Sequence, residues 1–231
     1  MITCRLVTLG NRDDAALLKA EREFPYSEVE IEGKKVPLKF YIEEISENKY
    51  GWISRGYMDR VLYLFSKRRG YFQVVVSEKL EIQIYEHEPK IILGVFATKE
   101  VAAKIVTALA KSISILPMYF DLTGGYKKIY ERFEDVRRLS LSQLIDPYLD
   151  KALLYGKKLY KSRHVEAMRV GLQGTLNAVA LVYRHVWVLV SRDAFIYTPV
   201  KHVPGEKEGF VYDLYKEFEK LGVVKTQMAL L

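Results

Sequence analysis

The sequence predicts an α+β fold of two similar halves, each running strand, helix, antiparallel meander, helix. Two stretches carry that reading. From Val165 to Pro199, β-branched and aromatic runs (165–172, 175–182, 186–191 and 195–199) alternate with short polar or Gly breaks, the pattern of antiparallel strands laid side by side. A helix follows, in which Phe210, Val211, Leu214, Tyr215, Phe218 and Leu221 recur at three- and four-residue steps before Gly222. The same order occurs earlier: three strands (71–76, 79–86 and 91–97) precede a helix carrying Val101, Ala102, Ile105, Val106 and Leu109. The halves are drawn at 1–112 and 113–231, and they share element order without residue identity.

Taken in order, residues 2–9 alternate loosely and predict a strand, and Asn11 to Glu23 a short polar helix holding Ala15, Leu17 and Leu18. Two strands flank Glu32-Gly33-Lys34-Lys35, a hairpin turn, and Pro37 places the second strand's start at a sheet edge. Ile53, Tyr57, Val61, Leu62 and Phe65 form a helical stripe, predicting a helix from Arg55 to Ser66 with Arg55, Arg60 and Lys67 to Arg69 off the stripe. Thr98 is placed to cap the next helix, running to Lys111. In the second half, a strand over 112–122 breaks at Thr123-Gly124-Gly125. Tyr126, Ile129, Tyr130, Phe133 and Val136 then mark a helix with a basic opposite face. Residues 139–163 are an insertion, helical in part and rich in Lys and Tyr, and the tail after Gly222 adds a strand or stays loose.

The element order resembles the duplicated half of the TATA-box-binding protein fold, in which two such halves form one saddle-shaped sheet backed by helices. That protein's sequence motifs are absent, so the resemblance transfers no site residue, and a shared element order says little about function.

Composition bounds the function. The 231 residues are 49% hydrophobic, enough for a substantial core in one or two domains. One cysteine, Cys4, excludes an internal disulfide and a Cys-based zinc cluster and fits a reducing, cytoplasmic setting. No stretch approaches the roughly 18 uncharged apolar residues of a membrane span, so the reading is no membrane. The net charge is +7, and it is uneven: 18 basic against 16 acidic residues in 1–112, and 18 against 13 in 113–231. Such an excess favours polyanions. Scarce Asn and Gln with abundant Lys, Arg, Glu, Ile and Tyr lean towards a thermophile, in which charges pair with one another.

The candidate nucleic-acid-binding residues are Arg55, Arg60, Lys67, Arg68, Arg69, Lys127, Lys128, Arg132, Arg137, Arg138, Lys157, Lys158, Lys161 and Arg163. Cations at helical spacing can neutralise successive phosphates, and neighbouring tyrosines can stack on bases. The competing reading is that these are the solvated faces of ordinary helices, their tyrosines in the core and the second patch diluted by Glu131, Glu134 and Asp135.

Asp121-Leu-Thr-Gly-Gly-Tyr-Lys127 places a Gly pair between strand end and helix start, where backbone amides can hold a phosphate. It resembles the second ligand motif of CARF domains, the sensors of cyclic oligoadenylates, and Val7-Thr8-Leu9-Gly10 resembles their first. The chain between the two reads as antiparallel β where that family needs parallel βα units. Catalytic signals are poor: Glu32-Gly33-Lys34 matches half of a nuclease metal site but reads as a turn, and His87, His164, His185 and His202 are scattered. The sequence thus points to a non-enzymatic, cofactor-free, cytoplasmic DNA- or RNA-binding protein. The alternatives are a scaffold subunit with a protein partner or homodimer, and a CARF-like nucleotide sensor.

Overall fold

Strand dominates the chain: in the computed structural model 54% of residues are strand and 20% helix. It describes residues 1–226 apart from 21, 134, 146–147, 160–161 and 164–173. The expected α+β fold of two strand–helix–meander–helix halves is therefore overturned in favour of a mostly antiparallel β architecture with short helices. Two compact units are present, a central one of Val7–Leu116 and a terminal one combining Met1–Leu6 with Pro117–Leu231.

In the central unit, β2 (Arg22–Ile31), β3 (Lys34–Asn48), β4 (Gly51–Ser66), β5 (Gly70–His87) and β6 (Lys90–Phe96) form a meander, each strand antiparallel to the next. The predicted hairpin at Glu32-Gly33 is present: both residues have positive φ, 50° and 76°, as a two-residue hairpin turn requires. The predicted helix Asn11–Glu23 shrinks to a 3-10 turn, Arg12–Asp14, and a single helical turn, α1 (Ala15–Leu18). The larger helix, α2 (Lys99–Leu109), starts as expected at Thr98, whose hydroxyl accepts from the Val101 N–H. Val101, Ala102, Ile105 and Leu109 of α2 join Phe40, Met58, Ile82, Ile84 and Leu93 in the core, and Phe24 stacks on Phe40 with ring centroids 4.5 Å apart.

The largest correction falls on Arg55–Ser66, predicted as a helix and found inside the 16-residue β4. Tyr57, Met58 and 61–65 are apolar almost without interruption, a run that suits either period. The decision comes from β5, which pairs with β4 from Gly51↔Tyr85 to Ser66↔Gly70. Gly56 also belongs in a strand. A Cβ there would lie 1.8 Å from the Tyr41 carbonyl oxygen, beside the bulge between Ile42 and Glu44, so only glycine allows β3 to approach this closely.

β3 pairs with β4 only as far as Phe40↔Met58, and β6 meets β5 only from Phe96↔Glu81 onward. Beyond those points β4 and β5 continue together from Asp59↔Ser77 to Ser66↔Gly70 as a two-stranded ribbon. Eight residues per strand make it about 25 Å long.

In the terminal unit, β1 (Ile2–Leu9) starts beside β12 (Phe195–Thr198), and β11 (Val186–Ser191), β10 (Thr175–Tyr183), β8 (Val136–Ser142) and β9 (Lys151–Tyr155) follow in that order. β7 (Ile115–Phe120) pairs with β13 (Val224–Thr226). The meander expected over 165–199 is present from Thr175; residues 165–173 lie outside the described residues. The segment 139–163, expected to be partly helical, holds most of β8 and all of β9, with Leu159 in a 3-10 turn and Arg163 in helical conformation. α3 (Tyr126–Arg132) ends before Val136, which the expected helix included and which starts β8. α4 (Lys207–Lys220) matches its prediction and stops ahead of Gly222, whose φ is 71°. Its Phe218 meets Phe120 and Phe133 at centroid distances of 4.9 and 5.4 Å, and Val179, Leu181, Val188 and Val190 of β10 and β11 are buried as well.

Candidate nucleic-acid interface

The ribbon ends in Lys67-Arg68-Arg69, a three-residue turn closed by Gly70, whose φ of 70° supplies the left-handed position such a loop needs. All three cations are exposed, and none has an ion-pair partner among the described residues. Rings flank them on both strands. Tyr63, Phe65 and Tyr71 are 73%, 64% and 84% exposed, with Leu64 at 40%. Apolar groups therefore sit in water on a ribbon with which neither β3 nor β6 pairs, beside three consecutive cations.

The remaining candidate cations of the central unit are engaged. Arg55 bridges Glu44 at 2.9 Å and Glu81 at 3.4 Å, and Arg60 contacts Glu78 at 2.7 Å, which holds the guanidinium pKa above its ordinary value. Both lie on a strand and not on the basic helix that their spacing suggested.

In the terminal unit several candidate cations are also engaged. Lys127 lies 3.9 Å from Glu131, and the Lys128 ammonium donates to the Leu221 carbonyl at 3.1 Å, capping the end of α4. Arg132 meets Glu217 at 2.6 Å and Arg137 meets Asp135 at 2.6 Å; these hydrogen bonds hold the Glu217 and Asp135 carboxyls below the usual carboxylate range. The Arg138 guanidinium lies over the Tyr155 ring, 5.3 Å from its centroid. Lys157 and Arg163 are exposed, the Lys158 N–H donates to Asp135, and Lys161 lies outside the described residues. Of the fourteen candidates, the structure brings together Lys67, Arg68 and Arg69 as a cluster of cations with no acidic partner among the described residues.

The sign of the Glu217 shift makes a prediction. A carboxyl depressed in the folded state adds stability above its unfolded value of about 4.3, and that stability is lost as pH falls through the folded value. Arg132→Ala should therefore destabilise the protein by up to about 1 kcal/mol near pH 7, and by less near pH 3. Urea unfolding of both proteins at the two pH values checks this; an equal difference at both would show that the pair is not its source.

The Gly pair of Asp121–Lys127 is used internally. The Gly124 N–H donates to the Asp121 carboxylate at 2.8 Å, the Gly125 N–H to the Asp121 carbonyl at 2.9 Å, and Thr123 accepts from the Leu176 N–H. A Cβ on Gly125 would strike Val223 at 2.0 Å, so this glycine serves close packing. Val7–Gly10 closes β1, and the Gly10 N–H donates to the Ser114 carbonyl. His87 ends β5, His185 lies in the β10–β11 turn and His202 in the loop before α4; His164 lies outside the described residues, and no group of three or more metal-ligating side chains is found among those described.

The sequence reading allowed tyrosines beside the cations to stack on bases but did not single out Tyr63, Phe65 and Tyr71, and it placed Phe65 on a helical stripe. The signal was available: two β-rich runs separated by Lys-Arg-Arg-Gly are a hairpin pattern. Among the described residues no helix is long and apolar enough to cross a membrane. No protein-family model matches the chain, and searches of curated proteins and of solved structures find nothing similar to it.

Proposed function

We propose that this protein is a non-enzymatic nucleic-acid-binding protein of the cell interior that grips phosphates with the turn of the β4–β5 ribbon. The observation that carries this reading is the cluster Lys67-Arg68-Arg69, three adjacent cations without acidic partners among the described residues, whereas Arg55, Arg60, Lys127, Arg132 and Arg137 are each ion-paired. Neutralising a phosphate releases condensed counterions, so unpaired cations contribute affinity where paired ones must first break a bridge. Lys157 and Arg163, exposed in the terminal unit, are secondary contacts.

The test is a fluorescence-anisotropy titration of labelled DNA and RNA at about 50 and 150 mM salt. Binding at micromolar concentrations or below, weakening steeply with salt, is the expected result. Failure to bind any nucleic acid at the lower salt overturns the proposal.

A second reading, a protein interface, is favoured by one observation. Leu62, Leu64, Phe72 and Val74 put apolar groups on the ribbon's opposite face, and beyond Asp59, whose carbonyl accepts from the Tyr26 hydroxyl, the outer edge of β4 has no partner strand among the described residues. Such an interface would persist at high salt.

A further inference from the structure

We infer that the ribbon takes single-stranded nucleic acid, stacking splayed bases on Tyr63, Phe65 and Tyr71 while the turn holds the phosphates; this rests on the nucleic-acid reading above. Residues paired directly across two strands share a face, as do alternate residues along one strand. The pairs Tyr63↔Gln73 and Phe65↔Tyr71 thus place all three rings on one face, next to Lys67-Arg68-Arg69. Phe65 and Tyr71 meet at a tilt of 55° with centroids 5.1 Å apart, so neither ring covers the other and each leaves a π-face to solvent. Tyr63 and Phe65 stand about 7 Å apart along β4. That is about two of the 3.4 Å steps that separate stacked bases along a strand, so neighbouring rings suit bases that have left their stack.

A duplex has no such bases to offer. Its rings are stacked on both sides, and opening a step costs free energy that a single strand does not require. Groove reading needs donors and acceptors aimed at base edges along the element, and between its cationic turn and the sheet the ribbon carries few of them. The other face carries Leu62, Leu64, Phe72 and Val74, and on the ring face Gln73 supplies the amide. Stacking accepts any base, so the expected ligand is DNA or RNA in single-stranded form with weak sequence preference.

The test compares a labelled 12-nucleotide single strand with its duplex, using the full chain and the variants Phe65→Ala/Tyr71→Ala and Phe65→Leu/Tyr71→Leu. The wild type should bind the single strand more tightly, and both variants should lose about tenfold or more on it while duplex binding and the salt slope stay unchanged. The leucine variant keeps apolar bulk and removes the π-faces, so wild-type affinity in that protein overturns stacking. Equal binding of duplex and single strand, insensitive to both variants, overturns this inference and leaves phosphate binding by the turn in place. Binding to anionic lipid vesicles but to no nucleic acid overturns both readings.

Discussion

Reversing the three charges of the ribbon turn, as Lys67→Glu/Arg68→Glu/Arg69→Glu, is expected to weaken nucleic-acid binding by at least about a hundredfold near 150 mM salt and to flatten its salt dependence. Three phosphate contacts account for about two units of the log–log slope on a single strand and slightly more on a duplex, and the variant should lose that amount. Stability should move by no more than about 0.5 kcal/mol, because these side chains are exposed and make no ion pair among the described residues. Anisotropy titrations over a salt series, with circular dichroism as the folding check, measure both quantities. Unchanged affinity in a folded variant would remove the turn from the interface. Reversal of Arg132 and Arg137 provides the contrast: both are paired, to Glu217 and Asp135, so their loss should disturb stability more than affinity.

Phe218→Ala is expected to destabilise the terminal unit by about 3–5 kcal/mol and to lower its melting temperature by about 10 °C or more. Phe218 is completely buried and packs against Phe120, itself fully buried, and Phe133, so truncation leaves a cavity between rings that cannot collapse without moving β7 or α3. Phe65→Ala should change stability by about 0.5 kcal/mol or less, since its ring is 64% exposed. Thermal and urea unfolding of the two variants test the pair together. A small effect at Phe218, or a large one at Phe65, would contradict the assignment of one ring to the core and the other to the surface.

Those two phenylalanines mark how far the sequence could be read. Local signals held where one period was unambiguous. The stripe Phe210, Val211, Leu214, Tyr215 and Phe218 fixes α4, Thr98 fixes the start of α2, and Glu32-Gly33 fixes a hairpin, because each depends on neighbours in the chain. The same logic failed over Arg55–Ser66, where a nearly continuous apolar run fits a helix or a strand equally well. At 139–163 the composition gave no sign of β8 and β9, because their pairing with one another and with β10 is set by register beyond the local sequence.

The candidate site divides in the same way. Composition alone established a basic chain with cations beside tyrosines and phenylalanines, and the fourteen candidates included Lys67, Arg68 and Arg69. Which cations keep their charge available was decided by the tertiary structure. Glu44, Glu78, Glu81, Asp135 and Glu217 reach their arginines across strands, between α3 and α4, or round a turn, and a carboxylate within hydrogen-bonding distance leaves little for a phosphate. The exposure of Tyr63, Phe65 and Tyr71 was decided there too. It follows from β3 and β6 ending their pairing short of the ribbon, and where a neighbouring strand stops is set by long-range register, which no local pattern of residues records.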